Sequence, residues 1–120
     1  HANQREPFET LFFNESLDQP LSESHALAPV LELVRFAPSA DNKQPWRLLV
    51  KKDMVHFYLH RSPAYQEQLA FDVQAIDMGI ALSHFVKGLE SQNIKFEVTN
   101  SFVNIDLPEL EYAFSVKLAV

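Results

Sequence analysis

Pro38 and Pro45 bracket the corner of the stretch FAPSADNKQPWRLLV, and they constrain this chain more than any other pair of its residues. Proline locks its own φ and pushes the residue before it out of the helical region. A helix arriving from the N-terminal side must therefore stop before Pro38, and the chain must be extended where it passes Pro45. Between them lie Ser39, Ala40, Asp41, Asn42, Lys43 and Gln44, mostly short or amide-bearing side chains beside exposed backbone polar groups. From these residues alone two readings stand level. The loop is a connection whose polar groups satisfy only the local backbone, or it is hardware for gripping a planar, hydrogen-bonding ligand by its edge.

The flanks support the turn. Upstream, Leu27, Val30, Leu31 and Val34 form an i, i+3, i+4, i+7 stripe, joined at its side by Leu33, the mark of an amphipathic helix. Ser22 and Ser24 offer N-caps, and Pro29 is acceptable only in the opening turn. Downstream, WRLLVKKD and MVHFYLHR read as two strands joined near Lys51 to Asp53, the second alternating Val55, Phe57, Leu59 with His56, Tyr58, His60. Gln66 to Gln92 reads as a helix of about seven turns, apolar over more than one face at its centre. Phe96 to Val98 opens a third strand and YAFSVKLAV forms a fourth. The first 20 or so residues read as an irregular arm whose aromatics, Leu11 to Phe13 and their neighbours, dock on the core. Helix, two strands, helix, two strands is the order of an α+β domain with a mainly antiparallel sheet and packed helices.

Composition removes several function classes. Gly79 and Gly88 are the chain's two glycines, so a glycine-rich phosphate loop is excluded. There is no cysteine, hence no disulfide and no thiolate metal site. A net charge of −6 with dispersed acids argues against nucleic acid. No apolar run approaches the roughly 20 residues of a membrane span. Asn14-Glu15-Ser16 matches a glycosylation sequon, here read as chance. His56 and His60 share one strand face, where a solvated surface is favoured over a metal site. Asp77 and His84 share a helix face; separate satisfaction is favoured over a buried carboxylate–imidazole pair.

The corner APSADNKQPWRLLV resembles the Ala-Pro-Ser-x-x-Asn-x-Gln-Pro-Trp segment of the FMN-dependent nitroreductase family. LELVRFAPSADNKQPWR, VHFYLHR and IDMGIALSHF together resemble a nitroreductase subfamily first described in a thermophile, and the likeness runs from about Phe8 to Ile94. The resemblance implies a cytoplasmic α+β oxidoreductase working as a dimer. FMN is held between protomers, and reducing equivalents pass from NAD(P)H to nitroaromatic or quinone-type acceptors. It also implies that Pro38, Ser39 and Ala40 line the isoalloxazine, that Asn42 and Gln44 place amides nearby, and that Trp46 packs the first strand.

Two features depart from the family. Nothing matches its Arg/Ser-rich phosphate grip, since Arg5, Arg35, Arg47 and Arg61 are isolated in sequence, and the segment that closes over the flavin is missing. The resembled subfamily holds two halves in one longer chain. The expectation is then an arm over residues 1–24 and a C-terminal half-domain over 25–120, starting at His1 rather than a methionine. Its partner would be the N-terminal half or a second protomer, with self-association along the Gln66–Gln92 helix. The rival is a non-catalytic interaction module of the same fold that binds no flavin.

Overall fold

The N-terminal segment is not an irregular arm. It folds into one helical turn, α1 (Phe8–Leu11), and a short strand, β1 (Phe12–Asn14). Phe12, Phe13 and Asn14 pair in parallel with Leu48, Leu49 and Val50. Three residues carry no readable alternation, so the open edge of the next strand decides their conformation rather than any local preference. The expected docking of the aromatics does occur: Phe8, Leu11 and Phe12 are buried, and the Phe8 and Phe12 rings lie 4.7 Å apart. The computed structural model describes residues 5–38, 44–60, 71–100 and 110–119, and of residues 71–75 the backbone alone.

The helix before Pro38 is α2 (Ala28–Arg35), with Pro29 in its first turn. It buries Ala28, Val30, Leu31 and Val34 on the face the spacing predicts, while Leu33 stays 44% exposed. The serines do not cap it. Leu27 is the N-cap, and its N–H donates to His25 Nδ1 at 3.0 Å. Ser22 Oγ instead accepts from the Ser24 N–H at 3.1 Å, a local turn one step too early in the chain.

After the corner come β2 (Trp46–Lys51) and β3 (Met54–His60), an antiparallel hairpin turned by Lys52 and Asp53 with Lys52 in the left-handed region at φ 56°. The long helix, α3, is described over Phe71–Ser91; residues 66–70 of the expected span lie outside the described residues. Then follow β4 (Lys95–Thr99) and β5 (Leu110–Ala119). The sheet order is β1-β2-β3-β5-β4, antiparallel throughout except for the β1–β2 edge. This is the expected α+β architecture.

Helices α2 and α3 lie on one face of that sheet. Leu48, Val50, Val55, Phe57, Val116 and Leu118 share a core with Val30, Leu31, Val34, Met78, Ala81, Phe85 and Leu89. Phe57 is its hub, edge-on to Phe85 at 5.4 Å and stacked on Phe114 at 4.7 Å. Outward, α3 shows a stripe of Gly79, Ser83, Lys87 and Glu90, so its wide apolar arc still leaves one polar edge. Among its described side chains Ile76 is the large apolar residue left exposed, at 60%. The opposite sheet face is buried as well: Leu49, His56, Tyr58 and Ser115 are all nearly inaccessible. No described helix is long and apolar enough to cross a membrane.

The two glycines of α3 play opposite parts. A Cβ at Gly88 would stand 2.8 Å from Val30 Cγ1 and 3.2 Å from Val30 Cα, so glycine sets how closely α2 approaches α3. A Cβ at Gly79 would meet nothing within 4 Å. Gly79→Ala should stabilise the fold by about 0.5–1 kcal/mol through helix propensity. Gly88→Ala gains the same propensity but must force two helices apart, at about 1–3 kcal/mol for overpacking, and should be net destabilising. Urea denaturation of both variants checks the opposite signs. Equal shifts in the same direction would mean that the helices do not meet at Gly88.

Candidate functional site

The corner is organised by a side chain that the sequence offered only as a cofactor amide. Gln44 is fully buried. Its Oε1 accepts from the Glu6 backbone N–H at 2.7 Å, and its Nε2 donates to the Arg35 carbonyl at 2.7 Å. One amide thus ties the N-terminal segment, the last turn of α2 and the approach to β2. Its backbone sits at φ 47°, in the left-handed region. Pro45 explains part of this, because the residue before a proline is kept out of the right-handed helical region. A non-glycine residue there costs about 1–2 kcal/mol, which the two side-chain hydrogen bonds offset. The Pro45 carbonyl then accepts from the His60 N–H at 2.6 Å, extending the β2–β3 pairing to the corner.

Of the other residues assigned to the corner, Pro38 is exposed at its rim, whereas Ser39, Ala40 and Asn42 lie outside the described residues. Beside Pro38, Phe36 is 58% exposed, and the Arg35 guanidinium lies 4.9 Å from its ring centre. The arginines, isolated in sequence, are not isolated in space. Arg35 Nε donates to the Glu6 carbonyl at 2.8 Å, and its Nη1 faces Glu32 Oε1 at 3.3 Å. Arg5 Nη2 reaches the Phe36 carbonyl at 3.4 Å. Arg47 Nη1 donates to the carbonyls of Gln44 at 2.8 Å and Trp46 at 2.7 Å. Burial pulls the Arg47 guanidinium below its ordinary pKa, and the Glu6 charge partly restores it. Three cations therefore gather around the Gln44 knot, a convergence that no spacing rule could show because Arg5 belongs to a different segment. Arg61 lies outside the described residues. Trp46 is buried in the core, with no hydrogen-bond partner for its indole N–H.

His56 does not lie on a solvated face. It is 3% exposed, and its Nδ1 sits 2.7 Å from Ser115 Oγ, which in turn lies 2.6 Å from the Tyr112 hydroxyl. The alternation misled because β3 is central and buried on both sides. Burial, then the charge of Lys51, lowers the His56 pKa. Neighbouring Tyr58 is pushed up to about 12 by burial and by Tyr112. His60 is only half-buried. His84 Nδ1 lies 2.9 Å from the Ile80 carbonyl of its own helix, and Asp77 is buried at 2%. Ser115 and Tyr112 drew no attention in the sequence; only strand pairing brings them to His56. Among the described residues no three His, Asp or Glu side chains gather as a metal site. A shallow concavity of about 510 Å³, lined by Glu90, Asn93, Ile94, Lys95 and Phe96, carries none of the corner's residues.

Two measurements follow. Gln44→Ala strips partners from the Glu6 N–H and the Arg35 carbonyl and should cost about 2–3 kcal/mol; denaturation showing less than 1 kcal/mol would remove the knot from the account. For His56 the unfolded chain takes up a proton first, because the folded pKa is the lower one. Its contribution is complete above about pH 6.5 and is lost as pH falls below that value, until the folded protein titrates too. The acid slope of stability should be shallower in His56→Gln than in the wild type.

The family model described as "Putative TM nitroreductase" matches residues 3–89. Among solved structures, a nitroreductase family protein from Clostridium novyi NT superposes with a TM-score of 0.63 at 14% identity, covering 98% of this chain and 80% of that one. A nitroreductase from Desulfovibrio desulfuricans, described as putative and solved in complex with FMN, gives a TM-score of 0.64 at 15% identity, covering 98% and 82%. Such identities speak for the fold alone. No curated protein matches the chain. The family match runs over well more than half of the chain, through α2, the corner and the β2–β3 hairpin, and the chain accordingly belongs to the nitroreductase family that this model describes.

Proposed function

We propose that this chain supplies one wall of an FMN site in a nitroreductase-like oxidoreductase acting between NAD(P)H and a nitroaromatic or quinone-type acceptor. The observation that carries the proposal is the exposed Phe36–Pro38 edge, set against the Arg35 guanidinium where Gln44 ties the end of α2 to the N-terminal segment. An exposed aromatic beside fixed cations suits a planar, conjugated, anionic ligand. FMN would supply the electron-transfer chemistry at that wall.

The chain's own residues would bind and orient. Pro38, exposed at the rim, would line the ring together with Ser39 and Ala40, and Asn42 would supply a side-chain amide. Gln44 acts differently from the other residues assigned there, because its described amide contacts go to Glu6 and Arg35 and hold the wall in place. A second protomer or further chain would complete the site from the other side.

The competing reading is a non-catalytic module in which the same edge meets another protein. It draws on the exposed apolar side chains Leu33, Phe36 and Ile76 and on the commitment of Gln44 to the backbone. Flavin titration separates the two. The FMN phosphate carries about two negative charges, and the corner offers a few hydrogen bonds of about 1 kcal/mol each plus burial of one ring face. The 120-residue chain should therefore bind added FMN only in the millimolar to tens-of-micromolar range, and Asn42→Ala should weaken that further. Quenching of flavin fluorescence reads both. Tight stoichiometric binding would show that the chain holds a complete site, and no binding at millimolar FMN would favour the module.

A further inference from the structure

Arg47 is a cation of the corner whose two hydrogen-bond partners are both neutral. Its Nη1 is fixed by two neutral carbonyls, those of Gln44 at 2.8 Å and Trp46 at 2.7 Å. Its Nε and Nη2 make no hydrogen bond, and neither is among the wholly buried donors lacking a partner. The ion pair among the described residues belongs to Arg35 and Glu32, and Glu6 acts on Arg47 through its field without a salt bridge. A guanidinium is a planar fork suited to two parallel hydrogen bonds with a phosphate or carboxylate. Here one arm of the fork is already immobilised, so an anion meeting the other edge orders little further. Burial strengthens the same contact, because a partly desolvated charge gains more from an opposite charge than an exposed one does. Arg35 and Arg5 stand around the same knot and add positive potential within a chain of net charge −6.

We propose that Arg47 reads the anionic group of the ligand at this corner, its free Nε–Nη2 edge taking the phosphate monoester of a flavin mononucleotide. The assignment rests on the flavin reading above and goes beyond it by naming the group that would distinguish FMN from its unphosphorylated parent. It also replaces the Arg/Ser-rich grip that this sequence lacks with one residue placed by the strand that follows the corner.

The test titrates FMN and riboflavin against the 120-residue chain, wild type and Arg47→Gln, with Lys87→Gln on the exposed edge of α3 as a control for general charge. Wild type should bind FMN about tenfold more tightly than riboflavin, the equivalent of about 1.4 kcal/mol. Arg47→Gln should erase that preference and leave riboflavin affinity unchanged, while Lys87→Gln should keep it. Because Arg47 also anchors backbone, salt dependence in the wild type gives a second measure needing no variant: FMN affinity should fall with added salt and riboflavin affinity should not. Equal binding of the two flavins, or an equal loss of both in folded Arg47→Gln, would overturn the role of Arg47 and leave the flavin site standing. Failure of both flavins to bind would overturn both readings.

Discussion

The Gln44 side chain is the contact on which the rest of the corner depends. A helix end leaves carbonyls without partners, and a chain crossing it leaves N–H groups without partners. One buried amide answers one of each, the Arg35 carbonyl and the Glu6 N–H, and does so from a backbone conformation that Gln alone would avoid. The strain is tolerable because three segments share the same fastening. The N-terminal segment then enters as α1 and β1, β1 extends the sheet beside β2, and α2 stops where Phe36 and Pro38 remain exposed.

That arrangement fixes what the corner can offer. The Gln44 amide faces inward, and among the described residues of the corner Phe36 and Pro38 are the exposed ones. Arg35 and Arg47 are themselves tied to the backbone around the knot, which makes their positions a consequence of the fold rather than of surface mobility. In the proposed site these fixed positions would matter, because groups ordered by the fold cost less to order on binding.

Much of this was legible in the residues. Pro38 and Pro45 place the helix end and the strand start, the alternation of Val55, Phe57 and Leu59 finds the central strand, and the spacing of α2 finds its buried face. What escaped depends on partners distant in sequence. β1 exists because β2 has an open edge, and His56 is buried because β3 lies between two strands with both faces covered. Ser22 and Ser24 have the right chemistry for capping but bond each other before the helix begins. Arg5, Arg35 and Arg47 converge only once Gln44 has joined their segments. The family resemblance found the corner; it did not show that Gln44 faces inward there.

The proposed meeting of a flavin with this chain at the corner can be observed residue by residue. Backbone and arginine side-chain NMR spectra of the labelled chain, recorded during FMN addition, address it directly. Binding at the corner should place the largest shifts on Phe36, Gln44, Trp46 and the Arg47 Nε–H, with β4 and the end of α3 silent. Shifts centred instead on Glu90 to Phe96, around the concavity at the far end of α3, would contradict it.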